Sequence, residues 1–141
     1  MIGAIIAKKS IAACFEAINR QDLDEFMCHW REDSVFIYPG EIPESGTYEG
    51  KDSIKGWFRN FFDKHQRIHF DLQNICVKNI FDLTGTNVVA VHWHVRLTNP
   101  QGIEGHNSGV TLIKVESGKA SLVKDFIFDL GESFKQTWSA V

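Results

Sequence analysis

Between Asn87 and Leu97 polar and apolar residues alternate. Ala90, His92, His94 and Arg96 therefore share one face of a strand, and Val89, Val91, Trp93, Val95 and Leu97 share the other. His69 and Asp71 alternate in the same way in the segment before it. An imidazole titrates near neutral pH and can pass a proton to or from a carbon or oxygen of a substrate. If this polar row faces an interior, His69 and His92 are candidate catalytic groups and His94 a candidate ligand contact. If it faces water or a second subunit, Trp93 faces the core instead, as in any sheet with one wet side.

Asp125 is the next candidate, because it alternates with Val123 and Ile127 in an apolar row. A carboxylate in such a row is paired, or its pKa rises. Facing His92 or His94, it would orient an imidazole or act as the base itself; facing an Arg or Lys at the sheet edge, it would be structural. Tyr38 ends a β-rich run directly before Pro39. A phenol there can donate to a carbonyl that is becoming an enolate, or it packs in the core with its hydroxyl bonded to a loop. Asn107 offers a neutral hydrogen bond for orienting a ligand. Trp30, Trp57, Phe58 and Phe61 suit the core and equally the apolar wall of a small-molecule pocket. Cys14, beside Phe15, reads as a small buried hydrophobe.

His92, His94, Glu104 and His106 bring a metal site to mind. Such sites in cupins place the glutamate three or four residues after the paired histidines, where Thr98 and Asn99 stand here. No metal is expected, and the absence of a glycine-rich phosphate loop implies no organic cofactor.

The elements that must hold these residues follow from periodicity. Ile11, Phe15 and Ile18 mark one face of a helix. Asp22 followed by Glu25 resembles a capping box for a second helix with the stripe Leu23, Phe26, Met27 and Trp30. Ser34 to Tyr38 is a short strand, and Ile54, Trp57, Phe58, Phe61 and Phe62 form the stripe of a third helix. From His69 onward the period is two. Strands are expected over His69–Gln73, Asn87–Leu97, Ile103–Val115 and Leu122–Phe128, with turns at Asn99–Gly102 and Ser117–Gly118. Helices first and four antiparallel strands after them predict an α+β domain with the helices on one face of a curved sheet.

The 141 residues fit one domain, 1–141, able to bury its own core. A net charge of −3 argues against a nucleic-acid partner. No apolar stretch is long enough to span a bilayer, so no membrane partner is expected. The first ten residues put their charges after a short apolar run, unlike a signal peptide, and Cys14, Cys28 and Cys76 are widely spaced without a CxxC. Both features predict a cytoplasmic protein.

In order and spacing, Ala17–Asp24, Trp30–Pro39, Gly46–Ile54 and the final glycine-turned hairpin resemble the NTF2-like superfamily, in particular its SnoaL-like and ketosteroid-isomerase-like branches. The resemblance spans about Ser10 to Asp129. It implies a cone-shaped half-barrel, with three helices in the N-terminal half, a pocket inside the cone and a homodimer through the sheet face. Fold does not choose the activity here, because isomerases, dehydratases, cyclases and non-catalytic binders share it. The ketosteroid-isomerase catalytic positions fall on Tyr38, Cys14 and near Val110, so that chemistry is not expected. Scytalone dehydratase is similar at Tyr38, His69 and His92. Its helical Tyr–Asp pair falls on Ile18–Asn19 and its strand Ser near Asn107.

Two readings result. In one, a small apolar ligand enters the cone and Tyr38, His69, His92 and Asp125 perform cofactor-independent proton transfer as in an isomerase, dehydratase or cyclase. In the other, the domain is a non-catalytic ligand-binding or dimerisation module. The direction in which His92 points separates them.

Overall fold

The computed structural model describes residues 1–139, so the last two residues of the expected domain lie outside it. Its order is α1 (Ile2–Asn19), α2 (Leu23–Met27), β1 (Trp30–Tyr38), β2 (Gly46–Glu49), α3 (Lys51–Lys64), β3 (Arg67–Val77), β4 (Asn87–Thr98), β5 (Glu104–Glu116), β6 (Lys119–Ile127) and α4 (Glu132–Ser139). One six-stranded sheet runs β2-β1-β6-β5-β4-β3. All neighbours are antiparallel except β1 and β6, which run parallel, with Phe36 opposite Val123. The sheet is curved and unclosed, and its register slips at Trp30/Val35, Leu72/Asn74 and Lys114/Val115. Such irregularities bend and twist a strand pair.

The expected α+β architecture is present, with several boundaries moved. Asp22 does cap α2, accepting from the Glu25 N–H at 3.1 Å. The helix then stops at Met27, and Trp30 opens β1 instead of continuing the helical stripe. The backbone shows why: Ala120 N–H donates to the His29 carbonyl at 2.8 Å, and Trp30 is paired with Ala120. Pairing with β6 captures the chain one turn earlier than the apolar spacing suggests. Ser34 fills the irregular stretch, donating its hydroxyl to the Ala120 carbonyl at 2.8 Å.

The helices close the concave side. Phe15 on α1 meets Phe70 on β3 edge-on at 5.4 Å. Asn19 also completes the open edge of β3, with its amide donating to the Phe70 carbonyl and its carbonyl oxygen accepting the Phe70 N–H. Edge strands need such cover. The α3 stripe Ile54, Trp57, Phe58 and Phe61 is buried as expected, against Phe36 and Tyr38. A fourth helix, α4, was not foreseen. It seats Phe134 and Trp138 against Tyr38, and it crosses β5 at Gly105, where a Cβ would lie 2.6 Å from the Thr137 methyl.

Candidate functional site

Pairing with β3 and β5 fixes which way β4 faces. Val89, Val91, Trp93 and Val95 are buried on the concave side, while His92 is half-buried and His94 exposed on the other. The strand commits its larger apolar surface to the helices, and a period of two then leaves its histidines outside. Asp71, His94 and Ser108 form one outer row and His69, Arg96 and His106 the next. These groups bond along the surface: His94 Nδ1 with the Ser108 hydroxyl, His92 Nδ1 with the Asn74 amide at 3.3 Å, and His106 with Glu104 at 2.8 Å. The expectation that His69, His92 and His94 line the interior is therefore corrected. Among the described residues no group of three His, Cys, Asp or Glu side chains is placed to hold a metal ion.

The cone holds a cavity of about 490 Å³. Its wall is mostly apolar and includes Trp30, Trp57 and Phe61. Across the concave sheet the wall also carries a hydrogen-bonded chain of polar side chains. Trp93 Nε1–H donates to Thr111 Oγ1 at 2.8 Å, and the Thr111 hydroxyl donates to Asp125 Oδ1 at 2.6 Å. The indole only donates, which fixes the first direction, and an ionised carboxylate only accepts, which fixes the second. Thr111 is opposite Asp125 in the ladder, and Trp93 opposite Gly109. A side chain at Gly109 would come within 2.8 Å of the Trp93 ring, so the glycine makes room for the indole.

Asp125 faces neither a histidine nor a cation, and Thr111 Oγ1 is its partner. Burial raises its pKa from 3.8 to about 6, the Thr111 hydrogen bond acting against the rise. Asp125 also lines the cavity. Tyr38 follows Ile37, which is paired with Lys124, and so lies beside Asp125 across β1 and β6. Burial and the Asp125 carboxyl both hold the Tyr38 phenol above its ordinary pKa. Its oxygen accepts from Trp138 Nε1–H at 3.3 Å, which leaves its own proton to give.

Asn107 reaches the cavity rim, but its amide donates to the Asp129 carbonyl at 2.6 Å and its oxygen accepts the Asp129 N–H at 3.3 Å. It fastens the segment between β6 and α4. Val110, the position matched to an isomerase carboxyl, is on the outer face between the inward Gly109 and Thr111. Cys14 lines the cavity, its thiol pushed up to about 12 by burial.

His29 and His65 stand near helix ends in the sequence, where surface residues are expected, yet both are elsewhere. His65 is fully buried between Phe61 and Trp138, with Nδ1 on the Phe61 carbonyl at 2.8 Å and a pKa lowered to about 4 by burial. His29 lines the cavity, and burial lowers its pKa. Sequence reasoning also missed Thr111, although Gly109, Thr111 and Ile113 alternate on β5 as legibly as the row on β4. Phe134 and Trp138 were missed with the helix that carries them.

The sequence profile of the SnoaL-like domain matches residues 11–123. No curated protein matches the chain. Among solved structures it is similar to Bal32a from a soil-derived mobile gene cassette, at 14% identity and a TM-score of 0.79 over 96% of this chain and 98% of that one. It is similar to TerC co-crystallised with polyporic acid, at 15% identity and 0.75 over 96% and 99%. A provisionally named scytalone dehydratase from Novosphingobium aromaticivorans DSM 12444 gives 12% identity and 0.78 over 91% and 85%. At these identities the likeness is one of fold.

Proposed function

The chain belongs to the SnoaL-like domain family, and from that premise we propose that it takes a small, mostly apolar molecule into the cone and moves a proton on it with Asp125. The observation that carries this reading is a carboxyl with a pKa of about 6 in an apolar cavity, held by Thr111 and adjacent to a protonated phenol. Above pH 6 the carboxylate is a base with one oxygen tied to Thr111 and the other left for a ligand. Its pKa is far better matched to proton transfer near neutrality than that of an ordinary aspartate. Tyr38, whose oxygen already receives the Trp138 N–H, donates its proton to a ligand carbonyl. Trp30, Trp57 and Phe61 supply the apolar wall.

Isomerisation of an enone, elimination of a β-hydroxyl and aldol-type cyclisation share one step, removal of a proton from carbon next to a carbonyl. Asp125 takes that proton and Tyr38 steadies the oxygen that gains charge. The family relationship and a neighbour of the same fold co-crystallised with polyporic acid support a small-molecule ligand.

The shared step can be read without knowing the final product. Carbonyl compounds that raise the melting temperature are incubated with the protein in D2O, and deuterium at the α-carbon is followed by NMR. Protein-dependent exchange that Asp125→Asn abolishes is the expected result. Exchange that survives Asp125→Asn would remove Asp125 from the chemistry.

For the outer face we propose self-association, supported by Phe126 and Phe128, which stand exposed beside His92 and Lys124. Light scattering on wild type and on Phe126→Glu/Phe128→Glu decides it: a dimer that the double variant dissociates is expected, and a wild-type monomer refutes it.

A further inference from the structure

One end of the cavity lies between α1, the segment joining β3 to β4, and the Ser117–Gly118 turn, all of which contribute to its lining. These pieces are in close contact. Gly3 lies against the Asp82 carbonyl with no room for a side chain, and Gly118 N–H donates to the Gly85 carbonyl at 3.0 Å. Around this end the protein leaves Ile2, Ile5, Ile6, Ile80, Phe81 and Leu83 exposed, six of the eleven large apolar side chains exposed among the described residues. Ile6 and Leu83 are at once exposed and part of the cavity wall. A patch of this kind at the end of an apolar cavity is an interaction surface.

The charges around it point to the occupant. Lys8 and Lys9 continue α1 behind Ile5 and Ile6, Lys78 precedes Ile80, and Lys119 follows the Ser117–Gly118 turn. All four are exposed, and none has an ion-pair partner among the described residues. Against the carboxyls of Asp82 and Glu116 at the same end, the four lysines leave it net positive, while the whole chain carries −3. Two copies joined at these ends would set these lysines against one another. An anionic lipid surface would attract them, and lysine stems would lie along the apolar ring with their ammonium groups at the phosphates.

We propose that this end of the cone docks on anionic lipid bilayers, the Ile5/Phe81/Leu83 ring entering the headgroup boundary, and that the apolar ligand passes from the bilayer into the cavity. This surface contact departs from the expectation of no membrane partner, which rested on the lack of a spanning segment: no helix among the described residues is long and apolar enough to cross a membrane. It rests on the proposed use of the cavity only for the identity of what passes through.

The test is flotation of the whole protein with vesicles of phosphatidylcholine, and of phosphatidylcholine with about 30% phosphatidylglycerol. The protein is expected to float with the anionic vesicles, more weakly as salt is raised. Phe81→Glu/Leu83→Glu and Lys8→Glu/Lys9→Glu are each expected to lower the bound fraction about tenfold or more. All four positions are exposed, and circular dichroism confirms that each variant is folded. Asp125→Asn should float like wild type even where it loses deuterium exchange, so failure of docking and failure of the chemistry are told apart. Absence of wild-type binding to anionic vesicles, or equal binding by wild type and Phe81→Glu/Leu83→Glu, overturns the proposal. So does a dimer in light scattering that this same variant dissociates.

Discussion

The sheet presents titratable groups on both faces, and they differ in consequence. On the outer face His69, His92, His94 and His106 are half-buried or exposed, and the last three bond to neighbouring side chains along the surface. On the inner face a single carboxyl, Asp125, is enclosed with one protein partner. Water reaches the outer face and screens one charge from the next. On the inner face burial moves the Asp125 pKa up to about 6, toward the range where a base is useful. Enclosure, more than the count of acid–base residues, distinguishes the candidate site.

That contrast breaks most visibly at the level of activity. Asp125→Asn keeps the shape and leaves Thr111 an oxygen to donate to, yet removes the base. Exchange or turnover of any substrate should fall by about 10²–10⁴-fold, the usual worth of a positioned general base. His92→Ala and His94→Ala should each stay within about twofold, since neither side chain reaches the cavity. Rates measured side by side decide it. A tenfold loss in either histidine variant, with the fold intact, would put chemistry or an essential interface on the outer face.

A second difference is tolerance to volume. On β5, Gly109 faces inward beneath Trp93, whereas Ser108 faces outward beside His94. A methyl group at 109 would meet the Trp93 ring at 2.8 Å and also the Phe126 carbonyl, part of the backbone of the next strand. Gly109→Ala should cost about 3 kcal/mol or more, as overpacking against backbone does. It should also weaken the Asp125 site, because Trp93 can move only by withdrawing its N–H from Thr111. Ser108→Ala should cost less than about 1 kcal/mol, the worth of one exposed hydrogen bond. Urea unfolding of the two variants compares the faces directly.

These contrasts show what periodicity can and cannot carry. The alternation from Asn87 to Leu97 located β4 and divided its residues correctly between two faces. It could not say which face looks into the cone, because a row of valines and a row of histidines are both legitimate inner faces until the helices are placed. Likewise Asp125 was legible as a carboxyl in an apolar row, but its partner was not. Thr111 is brought opposite it by the β5–β6 register, fourteen residues away in sequence. Trp30 and His65 were misread for a related reason. Each sits at a helix end by local pattern, and a distant partner reassigns it: Ala120 on β6 for Trp30, and Trp138 on α4 for His65. Local signals identified elements, and long-range pairing determined what those elements enclose.

The smallest predicted effect sets two buried groups of opposite charge type against each other. Asp125 has its pKa raised from 3.8 to about 6, so the folded protein holds that proton more tightly than the unfolded chain does. Its contribution therefore falls as pH rises from about 4 to about 6, by up to about 3 kcal/mol. His65 has its pKa lowered from 6.5 to about 4, so the unfolded chain takes up that proton first. Its contribution is present above about pH 6.5 and is lost as pH falls toward 4, again by up to about 3 kcal/mol. Over pH 4–6.5 the two slopes oppose, and from this pair alone the wild-type stability should change by about 1 kcal/mol or less. Removing either group unmasks the other. Asp125→Asn should lose stability steadily on acidification, while His65→Gln, which retains a donor for the Phe61 carbonyl, should gain it. Each variant is referred to its own value at pH 7.5, so baseline differences between variants do not enter. Urea midpoints at half-unit pH steps measure both slopes, and an Asp125→Asn curve parallel to that of wild type would show that the inner carboxyl is solvated much like the groups outside.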